Sequence, residues 1–456
     1  MKLSKRDSGF AIAVAFVCVT AGPPAFPAEK PPESGAVNES TNASEAFPID
    51  LPTTLRLAGA QNLDVQIARE RLAEARANHD SATAQFFPWL SPGAAYRRHE
   101  NRIQAVDGPI FDADKQSYTV GGALTAQMDL GDAIYKSLAS KQLVEAASHA
   151  LDAQRQDAVL AAAQGYFELA FAQAAVNVAK ESTAISLDYE TQVGHAVEIG
   201  LAFKGDHLRV RVQTQRNRLA LRQAVEQQRI AGARLAQTLH LRPAVELTAN
   251  DSDLAPLTLV NTNAPLDDLV RESFAARPEL KQSQALVAAA RDAKNGAVYG
   301  PLVPSIGGQA SVGGLGGGRN NDTGNFGDQE DYSIGLGWRI GPGGLFDFSR
   351  KRAAEARLQG TTLTGQKIRD EIGRQVVEAF TRLQSSSDQI ETARQALTAA
   401  EEGLRLAQTR KEFAVGVVLE NLQAEQDLTR ARLDYFKAVA EFNKAQYALH
   451  KALGRL

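Results

Sequence analysis

Hydrophobic and polar positions along this chain follow two rhythms. In the C-terminal arm Leu422, Leu433, Phe436, Ala440 and Tyr447 recur at spacings of three, four and their sums, with Glu, Lys, Arg and Gln between them. That is a narrow helical stripe, often filled by Ala, which lets neighbouring helices approach closely. Tyr332, Ile334, Leu336 and Trp338 instead alternate with Ser333, Gly335, Gly337 and Arg339, the period of a strand with one apolar face. With weaker alternation in "LSPGAAYRR", "KQSYTVGGALTAQMDL" and "PSIGGQASVG", it predicts four strands at 89–98, 117–128, 304–314 and 331–340. Alternation over about ten residues with an aromatic at each end is the pattern of a transmembrane β-strand, although a soluble hairpin shares it.

Proline sorts the rest. All 17 prolines avoid Asp132–Arg242 and Gly343–Leu456. Proline costs roughly 3 kcal/mol inside a helix, so two long intervals without it predict long helices. One glycine-containing break interrupts each interval, "EIGLAFKGDHL" at Glu198–Leu208 and "FAVGVVLENL" at Phe413–Leu422. Each interval therefore reads as a helical hairpin, at 132–242 and 343–454, turning at Gly200 and Gly205 in the first and at Gly416 in the second. Asp206, just after Gly205, is expected to N-cap the return helix.

The same order occurs twice. "NLDVQIARERLAEARANHDSATAQFFPWL" (Asn62–Leu90) is answered by "RPELKQSQALVAAARDAKNGAVYGPLVPSI" (Arg277–Ile306). "QGYFEL" (Gln164–Leu169) pairs with "EAFTRL" (Glu378–Leu383), and "ARLAQTLHL" (Ala233–Leu241) with "AQYALHKAL" (Ala445–Leu453). A period of more than 200 residues is far too long for a solenoid repeat. It predicts a mainly α chain with a small β part, built as a tandem repeat of helix, β-hairpin and long helical hairpin over 48–260 and 261–456.

The N-terminus adds an address. Lys2, Lys5 and Arg6 precede the apolar run "FAIAVAFVCVTAG", the form of a secretory signal peptide within 1–28, with cleavage after about 21 or 28. A Pro/Ser/Glu-rich leader, expected to be disordered, fills 29–47. The single cysteine, Cys18, lies within the signal, and Ala15-Phe16-Val17 lacks the small residue expected before a lipidated cysteine. An exported chain without disulfides must gain its stability from packing and assembly. No run of 18 apolar residues follows the signal, so a membrane crossing would use strands.

Formal net charge is −3 and no basic patch stands out, so no nucleic acid is expected as a partner. Enzymatic chemistry finds no P-loop, and "GGLGGGRNND" fits neither a dinucleotide fingerprint nor a calcium nonapeptide and reads as a flexible loop. The seven histidines form no H-x-x-x-H pair, and Met128 is the only methionine after the start. No enzyme activity, cofactor or resident metal is expected.

Together the "NLDV"/"RPEL" helix starts, the strand entries at Pro88 and Pro304, "IGPGG" at Ile340–Gly344 and the "ALHKALG" ending resemble the TolC-like outer-membrane efflux protein family over about Pro48–Gly454. The resemblance implies a homotrimer whose twelve strands form one barrel in outer-membrane lipid, continued by an α-helical tunnel in the periplasm. It further implies a passive exit duct for small molecules, partnered by a periplasmic adaptor protein and an inner-membrane pump. The polar loops at about His99–Asp114 and Gly316–Glu330 would then face outward. The helix-start carboxylates that narrow such channels at the periplasmic tip fall on Glu420 and Gln423, so one charge is kept and one lost. A helix-start acid also suits the helix dipole, which is the plainer role for Glu420. An exit for type I protein secretion shares this fold, and an exported coiled-coil scaffold without a pore shares its helices.

Overall fold

The computed structural model describes residues 47–242, 245–249, 254–261, 264–319, 322–412 and 418–456. The predicted signal peptide with Cys18, nearly all of the leader and Gly416 lie outside the described residues. The chain is mainly helical. It begins with a short strand β1 (Phe47–Ile49), helices α1 (Leu51–Gln61) and α2 (Leu63–Ala84), and strand β2 (Trp89–His99). A small hairpin, β3 (Arg102–Gln104) and β4 (Ile110–Asp112), precedes β5 (Lys115–Asp129), α3 (Leu130–Glu198) and α4 (Lys204–Thr238). After β6 (Leu247–Ala249) the order recurs as α5 (Leu266–Ala276), α6 (Pro278–Tyr299), β7 (Ser305–Arg319), β8 (Gly327–Gly337), α7 (Phe348–Glu412) and α8 (Val418–Ala452). Equivalent helices match closely in length, with α1 and α5 at 11 residues, α2 and α6 at 22, and α4 and α8 at 35.

Local chemistry sets these boundaries. The Asp50 carboxylate accepts from the Thr53 N–H at 3.1 Å and caps α1. Asn62 then ends α1 and caps α2, its Oδ1 accepting from Asp64 and Val65 at 2.9 and 3.3 Å. Pro278 takes the first position of α6, where the missing N–H costs nothing. Each half therefore opens with two helices, where the sequence pattern gave one; the extended backbone at Asn62 and Arg277 separates them. Helix α3 spans 69 residues, about 100 Å at 1.5 Å per residue.

Strands β2, β5, β7 and β8 form one antiparallel sheet in that order, while β1 and β6 pair in parallel as a separate sheet. The glycine-rich segment read as a flexible loop is in fact strand. Gly313–Arg319 continues β7, which outruns its expected end at 314. Rings cover the bare glycines: a Cβ at Gly314 would meet the Phe326 ring, and one at Gly316 the Tyr118 ring. Tyr118 and Phe326 themselves stack, with centroids 5.8 Å apart. Aromatic cover supplies the packing that glycine lacks. Strand β8 begins four residues earlier than expected and ends at Gly337, so Trp338 lies just outside it, its Nε1 donating to the Leu302 carbonyl at 3.2 Å.

The two largest core clusters share α8. Val439, Ala440 and Tyr447 join Phe167, Leu169 and Leu235 in one; Phe442, Leu449 and Leu453 join Val376, Phe380 and Leu383 in the other. The middle of α3 is apolar and long enough to cross a membrane by composition, yet half of it is buried within the protein. Side-chain amides hold the connector between halves. Asn443 accepts from Leu257 N–H at 2.8 Å and donates to the Ala255 carbonyl at 2.9 Å, and Gln446 accepts from Val260 N–H at 2.9 Å. These amides satisfy backbone groups that have no strand partner there.

Arg277, 2% exposed, ties the helices together at the α5–α6 bend. It donates to the Lys451 carbonyl at 3.1 Å, to Glu279 at 2.7 Å and to Gln375 at 3.0 Å. Lys451 in turn reaches Asp157 of α3 at 2.7 Å. Removing one partner of a buried ion pair strands the other, so Arg277→Met is expected to cost about 3 kcal/mol. Urea unfolding followed by helical circular dichroism checks this; an unchanged midpoint would mean the node is not structural.

Candidate membrane sheet and helical tip

The register of the four-stranded sheet separates its two faces. Leu90 stands opposite Leu124, Leu124 opposite Ala310, and Ala310 opposite Tyr332. Because side chains alternate, one face carries Leu90, Ala94 and Tyr96 from β2, Val120, Leu124, Ala126 and Met128 from β5, Ile306, Ala310 and Val312 from β7, and Tyr332, Ile334 and Leu336 from β8. The other face carries Ser91, Ser117, Thr119, Thr125, Gln127, Gln309, Ser311 and Ser333, with Gly between. Among the described residues nothing covers the apolar face, where Ile334 is 87% exposed. Tyr118 to Met128 on β5 spans about 33 Å along the strand, or about 25 Å along the normal at a 40° tilt, the height of an outer-membrane apolar band. Exposed aromatics gather at the lower margin, where Trp338, Phe346 and Phe348 flank the entry to α7.

The strands join the helices differently in the two halves. β5 runs into α3 with no residue between. In the second half a ten-residue loop, 338–347, intervenes, and Asp347 organises its end. The Asp347 carboxylate accepts from the Arg350 N–H at 2.9 Å and the Gly343 N–H at 3.0 Å, which holds its pKa below the usual carboxylate range. Arg350 also pairs with Asp132 at 2.7 Å, tying the start of α7 to that of α3.

At the far end α3 closes in a Schellman turn. Gly200 takes a φ of 76°, the Leu201 N–H reaches the Ala196 carbonyl at 2.8 Å, and the Gly200 N–H reaches Val197 at 3.1 Å. Gly205 and Asp206, expected in the turn and at the N-cap, instead sit inside the first turn of α4; Phe203 is the N-cap. The reason is that extended backbone at Phe203 starts α4 three residues before Asp206, whose carboxylate pairs with Arg209 at 3.1 Å. Leu201 and Phe203 project with 80% and 81% exposure. A cluster of Tyr189, Val193, Val210 and Leu422 packs α3, α4 and α8 together just above.

Glu420 lies in the first turn of α8, and its Oε1 accepts from Arg410 Nη1 of α7 at 2.7 Å. Gln423 is exposed and donates to Asp427 at 3.3 Å. The Arg410 partner was missed from the sequence, although it stands as far before Val415 as Glu420 stands after it, the relation expected across a hairpin turn. No group of three or more metal-ligating side chains occurs among the described residues.

A sheet with a bare apolar face, set on helices roughly 100 Å long, defines an outer-membrane protein with its strands in lipid and its helices in the periplasm. The sequence pattern of the family described as "Outer membrane efflux protein" matches residues 54–239 and 269–455, once in each half. The chain belongs to that family. Protein CyaE of Bordetella pertussis is 30% identical over 322 residues, which cover 70% of this chain and 66% of that protein, just under two thirds of its length. A membrane protein from Pseudomonas aeruginosa shares the fold with a TM-score of 0.74 at 19% identity, over 89% of this chain and 93% of that one. CusC, whose structures describe transmembrane channel formation, is similar with a TM-score of 0.73 at 19% identity, over 91% and 94% of the two chains.

A charge is expected to be tolerated on one face and not on the other. Ile334→Lys is expected to lose most outer-membrane protein, since a lipid-facing Lys costs about 2–4 kcal/mol near the bilayer centre, whereas Ser333→Lys retains it. Immunoblots of outer-membrane fractions check the pair, and the reverse pattern would invert the sheet.

Proposed function

We propose that three copies of this chain close a twelve-stranded barrel through the outer membrane and continue as a helical tunnel through the periplasm. The assembly serves as the passive exit duct of a tripartite efflux system for small molecules. The observation that carries this reading is the sheet itself: four strands with an exposed apolar face and two unpaired edges, β2 and β8. Unpaired backbone groups in hydrocarbon cost several kcal/mol each, so a lipid-embedded sheet must close, and four strands are too few to close alone. The polar, glycine-rich opposite face suits a water-filled lumen.

The tip is the meeting place for an adaptor protein that couples the duct to an inner-membrane pump. Exposed Leu201 and Phe203 support this, as does a groove between α4 and α8 lined by Leu208, Val212, Leu419 and Leu422. At the same end Glu420 and Gln423 form the constriction. Threefold repetition of Glu420 concentrates cations there, but its pairing with Arg410 offsets much of that charge.

Planar-bilayer recording of the purified protein tests the duct directly. Discrete conductance steps are expected, and a protein that never conducts would instead be a coiled-coil scaffold. Ion selectivity then reads the tip. Arg410→Gln should raise cation preference by exposing Glu420, and Glu420→Gln should shift preference toward anions by leaving Arg410 unpaired. Identical reversal potentials in all three proteins would remove both residues from the constriction.

A further inference from the structure

The two edge strands carry opposite charge at the same end. β8 starts from its loop as Gly327-Asp328-Gln329-Glu330-Asp331, and β2 finishes toward the neighbouring loop as Arg97-Arg98-His99. Within one copy these groups meet only local partners. Arg98 pairs with Glu100 two residues along at 2.5 Å, Glu330 accepts from the Tyr332 hydroxyl at 3.2 Å, and Asp331 accepts from Gln329 at 2.6 Å. Among the described residues none of Asp328, Glu330 and Asp331 pairs with a basic side chain.

We infer that the acidic end of β8 and the basic end of β2 on the next copy form an inter-subunit clasp that selects a second copy of this chain and sets the register of closure. The inference rests on the barrel reading above. β2 and β8 are both 11 residues long, and antiparallel pairing with full overlap sets Gly327 against His99 and Gly337 against Trp89. In that register Asp328 faces Arg98 directly, Glu330 is the diagonal neighbour of Arg98, and Asp331 that of Arg97. Lower down Ile334 meets Pro92 and Leu336 meets Leu90, so the apolar face continues across the seam. The stagger is four residues per copy, from Leu90↔Tyr332 within a chain to Ala94↔Tyr332 between chains. Four residues over four strands correspond to a tilt of about 35°, at the low end of what closed barrels adopt. Opposite charges on cross-strand and diagonal positions favour the pairing, and a head-to-tail contact of this kind closes a ring.

Charge reversal on one edge tests the clasp, and reversal on both should repair it. The first variant carries Asp328→Arg, Glu330→Arg and Asp331→Arg, the second Arg97→Glu and Arg98→Glu, and the third all five. In detergent extracts of outer membranes, measured by size exclusion with light scattering, either one-edge variant should lose trimer about tenfold, and the five-fold variant should regain it to within about twofold of the parent. As an independent reading, Arg98→Cys with Asp328→Cys in a Cys18→Ser background should yield disulfide-linked trimers on non-reducing gels after mild oxidation. Trimer unaffected by one-edge reversal, or a cysteine pair that never links a trimeric protein, overturns the clasp while leaving the barrel in place. A monomeric parent protein overturns the barrel reading and the clasp with it.

Discussion

Everything in this molecule depends on where the backbone hydrogen bonds of β2 and β8 go. In water an open four-stranded sheet loses little at its edges, because solvent completes the bonds. In hydrocarbon nothing does, and the apolar face of this sheet is built for hydrocarbon. On the barrel reading proposed above, one chain holds only part of the finished structure. Its alternation of apolar and small polar residues then serves a closed barrel, with lipid on one side and water on the other.

The helices answer a different constraint. Long arms need a core along their length, yet the space between closely packed helices holds few large side chains. Ala162, Ala163, Ala170 and Ala440 lie at those contacts, and larger side chains such as Phe167, Leu235 and Tyr447 fill the spaces around them. α8 binds both cores and, through Asn443 and Gln446, the connector between halves. Arg277 then locks the α5–α6 bend against α7 and α8. The duplicated elements thus behave as one packed unit with α8 as the shared member.

Much of the fold was legible because long-range features left local marks. Proline-free intervals marked the helical hairpins, Pro88 and Pro304 marked strand entries, and alternation at Tyr332–Leu336 marked a face. What escaped was decided by contacts between distant residues. The Gly313–Arg319 segment looks like a loop until the Tyr118 and Phe326 rings are seen over it. Asp206 has the chemistry of an N-cap, but the helix starts at Lys204, and local sequence does not fix that boundary. The charge at Glu420 is visible in sequence, whereas its partner Arg410 is met only where α7 and α8 come together.

The most direct measurement is the number of chains in the particle extracted from the outer membrane in detergent, by size exclusion with multi-angle light scattering. Three chains per particle is the expected result, since three sets of four strands complete one barrel. A single chain, or protein recovered from the soluble periplasm, would mean that the edges of β2 and β8 are satisfied by water and that no shared barrel exists.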